Sequence, residues 1–175
     1  MRKCNTIITI LMLVLFLLHV ILGSLAMFRA INVAVYMYII ATLMALLILI
    51  HSIIGIILTI KTIFAIKKAG KHYFKENMLF WIRRISGFAV FIFMFNHIIN
   101  FVIAFNQGTF SILILLIQIL MVLSLIIHLV GNIKPLTIAM GLTDKESINT
   151  GIVFVLSVIL LISAVAFLVF FLSLL

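Results

Sequence analysis

Acidic residues are almost missing from this chain, which has only Glu76, Asp144 and Glu146 among its 175 residues. Charged residues of both signs make up 9% of the sequence, whereas soluble domains carry roughly 25%. Because 67% of the residues are hydrophobic, the chain has too few polar groups to cover a folded surface in water. The composition therefore excludes a water-soluble domain.

Cysteine and proline are nearly missing as well. The single Cys4 excludes an internal disulfide and any metal site built from several cysteines. One proline and the lack of any low-complexity tract argue against a disordered tail or a long linker. We therefore expect a single domain over residues 1–175, with its core inside lipid.

What the sequence does contain is long apolar stretches, and a helix needs about 20 apolar residues to cross a bilayer. Five stretches reach that length: Thr6–Met27, Val33–Ile66, Leu79–Phe105, Phe110–Ile133 and Ile148–Leu175. The sequence predicts an all-α membrane protein with five transmembrane helices in a bundle.

The basic residues predict how the helices are oriented. Arg29 alone falls on one side of the predicted membrane, and the other eleven fall on the opposite side: Arg2, Lys3, Lys61, Lys67, Lys68, Lys71, Lys75, Arg83, Arg84, Lys134 and Lys145. Basic residues favour the cytoplasmic side, so we expect a multi-pass protein of the cell inner (cytoplasmic) membrane, with its N-terminus cytoplasmic and its C-terminus outside. The net charge of +9 then reflects topology, and no nucleic-acid partner is implied.

An alternative interpretation of the N-terminus is a cleavable signal peptide that ends near Ser24-Leu25-Ala26. The apolar run is longer than the usual core of a signal peptide, and it contains a histidine. These two features favour a transmembrane helix.

Histidines are the residues that point to chemistry. Four of the five lie within predicted spans, one in each of the first four helices: His19, His51, His97 and His128. An imidazole in hydrocarbon is costly, so a histidine inside a membrane suggests a function. A single one would equally suit a hydrogen bond to a neighbouring helix, but four, at one per helix, favour a cofactor.

Depth sorts these histidines into two layers. His19 and His97 each lie 13 residues from the cytoplasmic boundary, taken at Thr6 and Arg84, or roughly 20 Å at the rise of an α-helix. His51 and His128 each lie 19 residues from the outer boundary, taken at Asn32 and Thr109, or roughly 28 Å. The spacing predicts an outer pair, His19 with His97, and an inner pair, His51 with His128.

Two pairs at two depths match two stacked b-type haems, because each haem iron takes one imidazole on each face. Zinc or copper would need ligands that converge at one depth, usually with cysteine or carboxylate. All three acidic residues lie in predicted cytoplasmic connections, so the membrane offers no carboxylate.

Haem propionates need compensating charge near a low-dielectric boundary. Arg84 suits a carboxylate because its guanidinium forms a bidentate fork, and Arg83 and Lys134 are candidate helpers. An alternative is that all three only reach the interface as topology anchors.

Three segments resemble a known family, the five-helix dihaem cytochrome b anchors of succinate:menaquinone oxidoreductases and quinol:fumarate reductases. Trp81-Ile82-Arg83-Arg84-Ile85-Ser86-Gly87, followed by His97, is similar to the family's aromatic-x-x-Arg-x-Ser/Thr-Gly motif with its later histidine. His128-Leu129-Val130-Gly131-Asn132, followed by Met140-Gly141-Leu142-Thr143, is similar to the family's His-x-x-Asn-Gly and Trp-Gly-Ile-Thr runs, with the Asn-Gly order inverted. His51-Ser52-Ile53-Ile54-Gly55 resembles its His-x-x-x-Gly.

The resemblance implies an electron-transfer subunit with two haem b groups. In such a subunit His51 and His128 would ligate the haem nearest the iron–sulfur subunit, and His19 and His97 the distal one. Iron–sulfur and flavoprotein subunits would dock on the cytoplasmic face, electrons would pass to or from a membrane quinone, most often menaquinone, and the dicarboxylate chemistry would belong to the flavoprotein. Two alternatives stay open: a dihaem quinone cytochrome that serves another dehydrogenase or a hydrogenase, and a haem-free transporter or structural membrane protein.

Overall fold

The structure, a computed structural model, describes residues 2–28, 30, 34–70, 78–107, 111–142 and 146–172. These residues form five α-helices and no strand: α1 (Arg2–Met27), α2 (Ala34–Lys68), α3 (Met78–Gln107), α4 (Ile112–Ala139) and α5 (Glu146–Leu172). All five are long and apolar enough to cross a membrane. The prediction of an all-α chain with five membrane-spanning helices is therefore confirmed, while the side on which each terminus lies stays a prediction.

The helix contacts follow the order of the chain, and the last helix returns to the first. Each helix packs against the next one along the chain, and α5 packs against α1. The pairs α1–α2 and α3–α4 make the most extensive contacts, and α1 also touches α4. Among the described residues, α1 and α3, and likewise α2 and α4, make no extensive backbone contact.

The distribution of polar side chains is the reverse of that in a soluble protein. Large apolar residues such as Val35, Phe88 and Phe154 are more than 60% exposed, whereas Ser86, Gln118 and Thr137 are among the most buried side chains. Lipid surrounds apolar residues without cost, and polar groups have to find their partners inside the protein. The arrangement is the one that a hydrocarbon solvent favours.

The predicted end of the fourth span at Ile133 is wrong. Helix α4 continues through Pro135 to Ala139, so Lys134 lies on the helix and not in a connection. A proline removes only one backbone bond from the helix, and the added turn is held on α5 by a 3.0 Å hydrogen bond from the Thr137 hydroxyl to Asn149 Oδ1. The helix ends where Gly141 adopts a φ of 78°, a conformation that favours glycine.

Several residues used in the sequence argument lie outside the described residues: Arg29, Lys71, His72, Lys75, Glu76, Asp144 and Lys145.

Candidate cofactor site

The outer pair meets between α1 and α3. The ring centroids of His19 and His97 lie 6.4 Å apart, and the ring planes make an angle of 78°. The structure thus brings together the two histidines that depth alone had paired, although their role as iron ligands stays a prediction.

This separation suits one metal ion between the two rings. A metal–imidazole bond of about 2.0 Å on each side, with each ring centre about 1 Å behind its nitrogen, places the two centres about 6 Å apart. Rings on opposite faces of a planar macrocycle can also rotate about their bonds to the metal, so 78° is acceptable. Two aromatic rings in direct edge-to-face contact have a similar centroid distance. The distance alone therefore does not identify a metal site, and the hydrogen bonds of the rings are the stronger evidence.

Gln118 fixes the tautomer of His97. Its Oε1 lies 2.7 Å from His97 Nδ1, and its side chain is only 5% exposed on α4. An amide oxygen accepts hydrogen bonds and does not donate them, so Nδ1 carries the proton and the lone pair is on Nε2. Histidines that bind a metal through Nε2 are held by this kind of acceptor on the other nitrogen.

Thr9 determines the tautomer of His51, a member of the predicted inner pair. The Thr9 hydroxyl donates to the carbonyl of Asn5 at 2.8 Å, and its oxygen lies 3.2 Å from His51 Nδ1. Because the hydroxyl proton is already directed at Asn5, the oxygen accepts from the His51 ring. The lone pair of His51 is therefore also on Nε2.

His128, the other member of the predicted inner pair, lies on α4. Its Nδ1 lies 3.2 Å from the carbonyl oxygen of Arg83 and 3.4 Å from the hydroxyl of Ser86, both on α3. A carbonyl can only accept, so Nδ1 is again the protonated nitrogen. Three of the four histidines thus share one tautomer through three different acceptors.

His19 is the exception, since its Nδ1 is buried and has no hydrogen-bond partner among the residues that the structure describes. Buried polar atoms are nearly always satisfied. Nδ1 of His19 is thus one polar atom of the candidate site that the described residues leave without a hydrogen bond.

Gly87 lets the ring of His128 lie against the backbone of α3. A Cβ atom at this position would stand 2.8 Å from Cε1 and 3.1 Å from Nδ1 of His128, closer than such atoms approach in proteins. The glycine of the third-helix motif is thus required by the close approach of an inner histidine.

On each of α1, α3 and α4, the residues at the two histidine levels are ten positions apart in the sequence. Thr9, at the level of His51, lies ten residues before His19 on α1; Gly87, at the level of His128, lies ten residues before His97 on α3. Gln118, at the level of His97, lies ten residues before His128 on α4. Ten residues span about 15 Å of helix, so the layers are distinct.

The three basic residues predicted to act together are divided between two places. Arg84 turns toward α2, where its Nη1 would lie 3.6 Å from a Cβ on Gly55, one turn from His51. Arg83 turns toward α4, with its Cγ 3.2 Å from the Cβ position of Gly131, and it lines a groove together with Lys134. Only Arg84 accompanies the inner pair.

The donor set favours a metal that takes two protein ligands. Within the described ranges, no three histidine, cysteine, aspartate or glutamate side chains converge. A tetrahedral zinc site normally has at least three such ligands, whereas the iron of a b-type haem takes two axial imidazoles. The geometry of His19 and His97 is compatible with such a group, and for His51 and His128 the haem stays a prediction.

Gln118 and Thr9 are the site residues that the sequence argument missed. Gln118 is the only polar residue between Ile112 and Leu123 on α4, and a polar residue inside a membrane is a signal of function or packing. That signal was present in the sequence but was not used.

Comparison of the chain with family models, with curated proteins and with solved structures found no match.

Proposed function

We propose that this chain is the dihaem cytochrome b membrane anchor of a succinate:quinone oxidoreductase or a quinol:fumarate reductase. The observation that carries the proposal is the arrangement of the histidines. His19 and His97 lie together between α1 and α3, and His51, His97 and His128 each donate from Nδ1 to an acceptor on a neighbouring helix. The pairing of His51 with His128 is part of the proposal.

A b-type haem, when bound, would supply one-electron transfer at its iron. The protein's part is to hold the rings. His19 and His97 would ligate the outer haem iron, and His51 and His128 the inner one. Gln118, Thr9 and the Arg83 carbonyl keep the Nδ1 protons in place, which orients each ring and makes it a better donor.

Charge at the inner level is supplied by Arg84. A propionate taken from water into the membrane needs a cationic partner, and the planar guanidinium accommodates a carboxylate with two hydrogen bonds. Its position against Gly55, one turn from His51, supports this role. For Arg83 and Lys134 the propionate role stays a prediction.

The basic residues at the end of α2 support docking of the partner subunits on the cytoplasmic side. Lys67 and Lys68 are exposed at the end of α2, on the side of the inner histidines. Iron–sulfur and flavoprotein subunits bound there would exchange electrons first with the inner haem, and the outer haem would serve the membrane quinone, which we take to be menaquinone. Oxidation or reduction of the dicarboxylate would take place on the flavoprotein.

Purification in mild detergent tests the proposal, with a reduced-minus-oxidised spectrum and mass spectrometry of everything that co-purifies. We expect about two low-spin b-type haems per chain, with iron–sulfur and flavoprotein partners. Two haems with different partners would instead favour a quinone cytochrome of another dehydrogenase or a hydrogenase. A well-folded preparation without a Soret band would refute the proposal and favour the haem-free alternative.

The variant Gln118→Leu tests the role of the buried amide as a positioning residue. It removes the acceptor from His97 Nδ1, so the imidazole becomes a weaker donor and the ferric form loses stabilisation. We expect the midpoint potential of the outer haem to rise while that of the inner haem stays unchanged, as measured by redox titration.

The variant Gln118→Glu, which keeps an acceptor at the same position, should shift the outer potential in the opposite direction. If Gln118→Leu changed thermal stability but neither potential, the residue would have only a packing role.

A further inference from the structure

A groove of about 740 Å³ lies between α3 and α4. It is lined by Leu79, Arg83, Gly131, Lys134, Pro135 and Ile138. Leu79 and Ile138 are 64% and 53% exposed, so the groove opens to the surroundings of the protein. It lies where α3 begins and α4 ends, at the predicted cytoplasmic surface of the membrane.

Two basic residues, Arg83 and Lys134, line this groove. The stem of Arg83 lies across Gly131, and its Nε donates to the carbonyl of Leu79, one turn nearer the surface, at 3.0 Å. The guanidinium is thereby directed toward the headgroup level, as is typical of arginine near a membrane boundary. The exposed Lys134 adds a second positive charge from α4.

Glycine and proline on α4 shape the space between these cations. Gly131 has no side chain, and this leaves room for the stem of Arg83. A Cβ atom at this position would stand 3.2 Å from Arg83 Cγ. Pro135 has no N–H, so the carbonyl of Gly131 lacks its usual donor within the helix. The groove thus combines positive charge, a backbone acceptor and apolar walls.

We propose that this groove is a specific binding site for one anionic phospholipid of the phosphatidylglycerol type. The phosphodiester would lie between Arg83 and Lys134, and a hydroxyl of the glycerol headgroup would donate to the carbonyl of Gly131. The acyl chains would follow the exposed apolar surfaces of α3 and α4 into the membrane. A zwitterionic lipid lacks the net charge that two cations select, and it has no headgroup hydroxyl.

Native mass spectrometry of the purified full-length chain tests this proposal. The chain is titrated with phosphatidylglycerol or with phosphatidylcholine of the same acyl composition, and each bound lipid is counted. The double variant Arg83→Gln/Lys134→Gln should weaken phosphatidylglycerol binding by about thirtyfold, the factor expected for two cations at a membrane surface. Its affinity for phosphatidylcholine should not change.

Two further variants separate a shaped site from diffuse attraction. Gly131→Leu fills the groove but keeps both cations, and it should also weaken phosphatidylglycerol binding; Gly131→Ala is the milder form if leucine impairs folding. The matched control Lys67→Gln/Lys68→Gln removes the same charge from exposed positions at the end of α2 and should bind within about twofold of the unmodified chain.

Equal weakening in the groove variant and the control, or none in either, would overturn the proposal. Loss of one haem from Arg83→Gln/Lys134→Gln with lipid binding intact would also overturn it, because the two cations would then serve the propionates. Lipid binding is read independently of haem content, so the test stands even if the proposed function fails.

Discussion

The variant His97→Ala is expected to lose one of two haems and to leave the other with its native potential. The outer pair is formed by His19 and His97, whose ring centroids lie 6.4 Å apart in an edge-to-face arrangement, and a haem held by these two residues would lose one of its two protein ligands. Alanine at His51 or His128 should have the same effect on the inner haem. Haem content should fall to about half in each case, as measured by pyridine haemochrome and redox titration.

A matched control is available in His72, which the sequence places in the connection before α3. His72→Ala should retain both haems. The assignment of the two layers would be wrong if His51→Ala and His97→Ala abolished the same redox centre.

The variant Gly87→Ala should have the second largest effect, because one added methyl group enters the space of His128. The new Cβ would stand 2.8 Å from Cε1 of the ring, so the ring has to turn or α3 has to move away from α4. Overpacking of this kind costs about 1–3 kcal/mol. We expect a lower Tm in detergent, measured by circular dichroism, and a disturbed or missing inner haem beside an intact outer one.

Gly151 on α5 supplies the control, since an added Cβ there meets nothing within 4 Å. Gly151→Ala should keep both haems and a Tm equal to that of the unmodified chain. If Gly87→Ala behaved like Gly151→Ala, the close packing of His128 on α3 would be refuted.

The number of helices and the proximity of His19 and His97 could be predicted from the sequence because both depend on fixed lengths. A bilayer sets the length of a span, and the constant rise of an α-helix turns residue counts into depth. For this reason His19 and His97 could be matched without knowledge of how α1 and α3 pack. The end of α4 was missed because the predicted span stopped at Ile133, whereas the helix continues through Lys134 and Pro135. Membrane helices tolerate proline when neighbouring groups satisfy the backbone.

The rotation of each helix about its own axis could not be predicted from the sequence, although this rotation determines which groups each side chain contacts. Depth places Gln118 level with His97, but only the packing of α4 on α3 shows that the amide points at Nδ1. The division of Arg83 from Arg84 was partly foreseeable, since consecutive residues on an α-helix point about 100° apart. Which of the two turns toward the histidines depends on where Gly55 and Gly131 leave room, and spacing alone does not give that.

The helix contacts also describe the molecule as two antiparallel hairpins, α1–α2 and α3–α4, that are joined less extensively to each other than within themselves. One hairpin carries His19 and His51, and the other carries His97 and His128. On the proposed function each haem takes one ligand from each hairpin, so both cofactors would act as cross-links between two halves that direct packing holds only weakly. Assembly would then have a defined order, in which each hairpin forms in the membrane first and haem insertion locks the pair together.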